Sequence, residues 1–341
     1  MTLAIAVVGG GRIGALRVAM LVEAGHRVVV VDTAPVRAMP VPVHRNVHDA
    51  FPDPDLWIVA TPTAAHLPAL ASILRRDPCA AVLLEKPACT SPQLESFREL
   101  LDRHPLACIE VVSQYQDSAA VLALARAADP RADLVVSFVK DRTLDEARGR
   151  FRDPIAGVLG YEWPHLYAIA RSLGVSADDL QTFDPDRSRV DFVDDGGYLL
   201  EARWETTCHD GRRLILHSGI AGGSSRLFQC GGGDPSNYRL VRSTTASGAE
   251  HSLWLTPSGA ADASLAATRK CLLVTEPRAG GRRVTTIVDD PLRTSMSRAI
   301  TRLTARQPRD VRRELDVIEH TEMLLRLRTW TAPRVVTHAA S

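Results

Sequence analysis

The 341-residue chain sets 41 Lys and Arg against 40 Asp and Glu, a formal net charge of +1, and 45% of its residues are hydrophobic. That balance argues against an electrostatic footprint for nucleic acid or an anionic membrane surface, and no apolar run approaches the roughly 20 residues that span a bilayer. The length suggests about two domains, and six scattered cysteines with no C-x-x-C pair point to reduced thiols and a cytoplasmic setting.

Residues 3–8 read as a buried strand, followed at once by Gly9-Gly10-Gly11-Arg12-Ile13-Gly14. A helix comes next, with Ile13, Leu16, Met20 and Leu21 expected on its apolar face and Gly25 placed to end it. A second strand over residues 27–31 finishes on Asp32. In this G-x-G-x-x-G arrangement Gly9 allows the tight turn, Gly11 lets the backbone approach a pyrophosphate, and Gly14 permits close helix–strand packing. The helix start at Arg12 and Ile13 offers free N–H groups to that anion. Asp32, 18 residues beyond Gly14, stands near the position of the acid that holds a ribose 2′-hydroxyl. The carboxylate favours NAD(H); Arg37, which could reach a 2′-phosphate, keeps NADP(H) as the alternative.

Residues 34–54 are proline-rich, with a short strand near 41–44. Strands follow at 56–60, 80–84 and 107–112, and helices at 64–75, from a Ser91 cap to Arg103, and at 117–128. The alternation predicts an α/β fold, with a Rossmann doubly wound parallel sheet over residues 1–115. Beyond it the pattern changes to β-rich runs at 134–140, 198–208, 213–220, 226–230, 238–246, 251–255, 270–275 and 283–288. Gly222-Gly223, Gly231-Gly232-Gly233 and Gly280-Gly281 punctuate them, with helices expected at 164–173, 291–305 and 310–330. Residues 116–341 are thus expected to form an α+β domain with a large, mostly antiparallel sheet that binds substrate and joins subunits into a homodimer or homotetramer.

Ligands of open α/β sheets bind beyond the carboxyl ends of the strands. Three segments end strands there: Gly9–Gly14, Thr61-Pro62-Thr63 and Glu85-Lys86-Pro87. Only three of the 41 basic residues are lysine (Lys86, Lys140, Lys270), so a retained lysine marks a place where a proton must leave, which arginine does not allow. Lys86 is the candidate acid/base for chemistry at a carbon bearing oxygen or nitrogen, against the plainer reading of a surface pair with Glu85. Lys140 is a candidate anion contact, against that of a solvated strand end. No histidine or cysteine spacing suggests a metal.

The glycine turn, Ala60-Thr61-Pro62 with His66 four residues beyond Pro62, and Glu85-Lys86-Pro87 resemble, in order and spacing, the Gfo/Idh/MocA family of nucleotide-dependent oxidoreductases. The resemblance implies a catalytic role for Lys86 and places Thr61, Pro62, His66 and Glu85 at the cofactor. It also implies a histidine in the second domain, matched by His165 in Tyr161-Glu162-Trp163-Pro164-His165. Two departures stand out: Tyr161 replaces the family's aspartate, and Ser113-Gln114-Tyr115-Gln116 stands where an Asn-Arg or His-Arg pair is usual. Beside Lys86, His165 (as proton donor or anchor for a substrate hydroxyl) and Tyr161 are carried as catalytic candidates, and Gln114, Tyr115, Trp163 and Lys140 as substrate contacts. The combined expectation is hydride transfer between nicotinamide and a C–O or C–N carbon of a small sugar-, cyclitol- or amine-like molecule. The alternatives are a redox-neutral cycle on tightly bound NAD, or a dinucleotide-binding protein without catalysis.

Overall fold

The structure is a computed structural model that describes residues 1–36, 39–147, 153–220, 225–228, 237–256, 270–278 and 280–330. It divides into two units, one of Met1–Ser113 with Leu292–Ile318, the other of Gln114–Pro291 with Glu319–Ser341.

The first unit is a six-stranded parallel sheet. Its strands are β1 (Ala4–Val8), β2 (Arg27–Val31), β3 (Val43–His44), β4 (Leu56–Val59), β5 (Ala81–Leu84) and β6 (Cys108–Val111), in the order β3-β2-β1-β4-β5-β6. β1, β4, β5 and β6 are buried at every residue, as continuous apolar runs in a two-sided parallel sheet must be. Helices α1 (Arg12–Glu23), α2 (His66–Arg76) and α3 (Leu94–Arg103) make the crossovers. The order reverses between β1 and β4, the switch point at which such sheets bind ligands. One core cluster runs from Leu3, Ile5 and Val7 through Leu56 and Ile58 to Met296, Ala299, Ile300 and Leu303. The last four lie on helix Pro291–Thr304, so a C-terminal helix completes this unit, a return that the alternation of the first 115 residues does not announce.

Two local expectations are corrected. The inward face of α1 is Gly14, Arg17, Val18, Met20 and Leu21, whereas Ile13 and Leu16 are exposed. The third crossover is capped by Thr90, not Ser91: the Thr90 N–H and hydroxyl both donate to Gln93 Oε1, at 3.2 and 2.9 Å.

The second unit holds an eight-stranded sheet built from β7 (Asp133–Lys140), β8 (Ser188–Asp195), β9 (Tyr198–Thr207), β10 (Arg213–Gly219), β11 (Asn237–Thr244), β12 (Glu250–Thr256), β13 (Lys270–Glu276) and β14 (Arg283–Val288). The order is β14-β13-β12-β11-β7-β10-β9-β8, antiparallel throughout except for β7 with β10. Helices α4 (Ala119–Ala127), α5 (Thr143–Ala147), α6 (Val158–Tyr161), α7 (Trp163–Ser172) and α8 (Ala177–Gln181) accompany it. The expected strand at 226–230 is absent over 226–228, and its last two residues, with the turns at 222–223 and 231–233, lie outside the described residues. β8, an edge strand, was not expected.

Candidate active site

The strand ends of the first unit assemble the first group of candidates. Gly9 adopts φ +102°, and a Cβ there would stand 2.7 Å from the Ala60 carbonyl carbon. A Cβ on Gly14 would stand 1.9 Å from the Gly9 carbonyl oxygen, so α1 packs on the turn more closely than any side chain allows. Gly11 differs: among the described residues nothing lies within 4 Å of its Cβ position, although it is the N-cap of α1. No side chain caps that helix and its first turn holds no acid, so its N–H groups and positive dipole end are available to an anion. Asp32 follows β2 and accepts from Gly10 N at 2.7 Å and from Ala34 N at 2.8 Å, which fixes its carboxylate beside the turn. Arg37 lies outside the described residues.

Across the switch point, Thr61 follows β4. Its hydroxyl is buried with no hydrogen-bond partner among the described residues, an orphaned polar group awaiting one. Pro62 leads into the short 3-10 turn Thr63–Ala65. The open Gly11, the uncapped helix start, the placed Asp32 carboxylate and the orphaned Thr61 hydroxyl together fit a bound dinucleotide.

His66 has a different place from the expected cofactor contact. It is 1% exposed; Nδ1 lies 2.9 Å from the Pro87 carbonyl and Nε2 2.9 Å from the Thr61 carbonyl, two acceptors of which a neutral ring, with its single N–H, donates to one at a time. Burial holds its pKa below the usual histidine range, against the pull of both carbonyls. Glu85 is likewise engaged. Arg17, fully buried on α1, donates from Nε to Glu85 Oε1 at 2.7 Å, with Nη2 at 2.6 Å from the same oxygen. Lys86 follows β5 half-buried, and its peptide bond to Pro87 is cis. Arg17 was missed by sequence reasoning, although its spacing from Gly14 and Leu21 places it on the inward face.

The second unit gathers Tyr115, Glu162, His165 and Arg239. The buried Tyr115 ring meets His165 edge-on at 5.0 Å and 84°, and Phe138 at 5.5 Å and 73°. Glu162, which closes α6, lies 3.3 Å from Arg239 Nη2, and that guanidinium sits 5.5 Å from the Phe138 ring centre. Burial raises the Tyr115 pKa while Arg239 opposes it; burial also works against the Arg239 charge, which the Glu162 carboxylate beside it sustains. Gln114 is half-buried beside Tyr115. Glu162 and Arg239 are further polar groups whose pairing no sequence motif announces.

Tyr161 belongs to a separate network. Its hydroxyl accepts from Asp153 N at 2.7 Å and lies 3.4 Å from Tyr198 Oη, which donates to Glu146 at 3.0 Å; the Arg142 guanidinium covers the ring at 3.7 Å. Lys140 ends β7 half-buried, opposite Asn237 of β11. Trp163 is corrected: it is fully buried and stacked on His320 at 6.0 Å and 14°, so it is core and not a wall for substrate.

Residues 3–105 match the family model GFO_IDH_MocA, described as "Oxidoreductase family, NAD-binding Rossmann fold". This domain is of the Gfo/Idh/MocA oxidoreductase family. The Gfo/Idh/MocA segment contains the glycine turn, Asp32, Thr61 and the Glu85-Lys86-Pro87 turn. No curated protein matches the chain. Among solved structures, the chain is similar to the UDP-N-acetylglucosamine 3-dehydrogenase GnnA from Acidithiobacillus ferrooxidans, at 16% identity over 95% of this chain and 96% of that one, TM-score 0.68. It is similar to a variant of KijD10, a 3-ketoreductase from Actinomadura kijaniata in complex with TDP-benzene and NADP, at 14% identity over 96% and 98%, TM-score 0.64. It is also similar to the WlbA dehydrogenase from Thermus thermophilus in complex with NAD and UDP-GlcNAcA, at 15% identity over 98% and 96%, TM-score 0.59. At these identities the likeness is one of fold, and it extends over both units.

Proposed function

We propose that this protein is an NAD(H)-dependent oxidoreductase that interconverts an alcohol and a carbonyl, or an amine and an imine, on a sugar-like substrate, with Lys86 as its acid/base. The observation that carries the reading is the placement of the glycine turn, the orphaned Thr61 hydroxyl and Lys86 at the carboxyl ends of β1, β4 and β5. These strands are consecutive neighbours in the sheet, which sets the lysine about 10 Å from the turn at ordinary strand spacing. When bound, NAD(H) supplies the hydride acceptor or donor. The α1 start and Gly11 receive the pyrophosphate, Asp32 a ribose hydroxyl, and Thr61 donates to the group that reaches it.

Lys86 takes the proton from the substrate oxygen or nitrogen during oxidation and returns it during reduction. In the second unit, His165 and Tyr115 hold substrate hydroxyls, Gln114 adds an uncharged contact, and Lys140 an anionic one. Tyr161 is assigned to supporting the segment at Asp153. The name of GnnA, a UDP-N-acetylglucosamine 3-dehydrogenase, and the UDP-GlcNAcA bound to WlbA favour a nucleotide-linked sugar as the substrate class, and the TDP-benzene of KijD10 shares the nucleoside diphosphate part. We place the protein in the cytoplasm as a homodimer or homotetramer joined through the eight-stranded sheet, to be checked by sedimentation.

The test is absorbance at 340 nm with NAD+ and a panel of UDP- and TDP-linked sugars, their free sugars and cyclitols. The reading expects NADH to accumulate with at least one member and NADP+ to serve less well. NAD-dependent turnover with no net NADH would replace net oxidation by a redox-neutral cycle; no cofactor binding at all would end the proposal.

A further inference from the structure

Two contacts around the Glu85-Lys86-Pro87 turn remain once nucleotide binding and proton transfer are assigned. Before the lysine, the Glu85 carboxylate takes the fully buried Arg17 guanidinium at 2.6–2.7 Å. After it, the Pro87 carbonyl lies 2.9 Å from Nδ1 of the buried His66 ring, which donates to it as the Nδ1–H tautomer, and the Thr61 carbonyl lies at the same distance from Nε2. Each chain neighbour of Lys86 is therefore tied to a different element: Glu85 to α1, which begins at the glycine turn, and Pro87 to the segment after β4.

We propose that Arg17 and His66 are positioning residues that clamp this turn from both ends, fixing the backbone of Lys86 relative to the glycine turn and Thr61. A lysine side chain has four rotatable bonds, so the position of its amine is only as well defined as the backbone that carries it. Proline has no N–H, which leaves its carbonyl as the polar backbone group by which Pro87 can be held. Arg17 also has an electrostatic role. It offsets the carboxylate next to Lys86 in the chain, so Glu85 stabilises the ammonium form of the lysine less than a lone carboxylate would, which favours an acid/base near neutral pH. An arginine on the inward face of a helix is costly unless paired; its charged partner among the described residues is Glu85, and Nη1 donates to the Leu292 carbonyl at 3.3 Å. The inference rests on reading Lys86 as the proton carrier, but its test does not.

The chain has three lysines, Lys86, Lys140 and Lys270, so protein labelled with 13C at lysine gives three Cε signals. That of Lys86 is identified by its loss in Lys86→Met. In Arg17→Met the freed Glu85 carboxylate raises the Lys86 titration midpoint by about one pH unit. The double variant Arg17→Met/Glu85→Gln brings it back. His66→Leu moves the Lys86 signal, and His66→Gln, which keeps an N–H donor for one carbonyl, restores it in part; Lys140 and Lys270 stay in place. Folded single variants with an unmoved Lys86 signal and midpoint overturn the clamp. Should Arg17→Met not fold, His66→Leu decides alone. Unchanged turnover in Lys86→Met would refute the proposed function while leaving this result standing.

Discussion

Gly14 and Gly11 lie three residues apart in one motif, yet alanine should act oppositely at the two. At Gly14 the new Cβ would stand 1.9 Å from the Gly9 carbonyl oxygen and 2.9 Å from its carbon, both backbone atoms of the turn. Bringing the first contact to 3.0 Å, the least that real Cβ atoms show, requires α1 to retreat by 3.0 − 1.9 = 1.1 Å. Overpacking of this kind costs about 1–3 kcal/mol, a fall in Tm of roughly 3–10 °C. The displaced helix start should also weaken dinucleotide binding. At Gly11 no atom of the described residues lies within 4 Å of the Cβ position and φ is −67°, so alanine fits the folded chain without strain. Alanine is the poorer N-cap by less than about 1 kcal/mol, but its stiffer unfolded chain offsets a similar amount. Gly11→Ala should therefore melt within about 2 °C of the wild type. Its methyl group meets only a bound pyrophosphate, so its NAD affinity should fall by about tenfold or more, roughly 1.4 kcal/mol. Differential scanning fluorimetry with and without NAD+ reads both effects. A Gly11→Ala protein with wild-type NAD affinity would refute the assignment of this turn to the pyrophosphate, and a Gly14→Ala protein with unchanged Tm would refute the packing argument.

Three further outcomes follow from particular contacts. His320 is 1% exposed among Trp163, Tyr167 and Trp204, and burial lowers its pKa to about 4 from 6.5. The unfolded chain thus takes up this proton before the folded one, so stability is complete above pH 6.5 and drains as pH falls toward 4, by up to about 3 kcal/mol. His66 and His217, both lowered by burial, act in the same direction; His320→Gln should flatten the dependence of Tm on pH across this window. Trp163→Phe should lower Tm by several degrees through a cavity beside His320 while leaving substrate KM within about twofold, because the ring is core; a large KM change with unchanged Tm would return it to the substrate site. Asp32→Ala should narrow the preference for NAD+ over NADP+ by about tenfold, measured as the ratio of dissociation constants, by removing a carboxylate that repels a 2′-phosphate.

What the sequence displayed well is what burial writes plainly. Fully buried parallel strands are continuous apolar runs, so β1, β4, β5 and β6 are visible directly, and the glycine turn is visible because its backbone admits no Cβ at Gly14. The inward face of α1 misleads for the same reason. Gly14 contributes no side chain and Arg17 contributes a charge, so the apolar count shifts to Ile13 and Leu16, which are exposed. β8 carries four charged residues among eight, as an edge strand can, and so shows little apolar alternation. The spacing of His66 marked it as notable but not its role, because two hydrogen-bond partners 5 and 21 residues away are matters of tertiary structure. Trp163 illustrates a limit of composition: a tryptophan suits a substrate wall and a core equally, and stacking on His320 decides between them.

The central claim is that the Lys86 amine moves the substrate proton. It is tested most directly by steady-state NADH formation in Lys86→Met, on the substrate that the wild-type protein oxidises, beside the dissociation constant for NADH. Turnover should fall by about 10²–10⁴-fold, the usual contribution of a general acid/base, while NADH affinity stays within about twofold of the wild type. Turnover within about threefold of wild type would contradict the account.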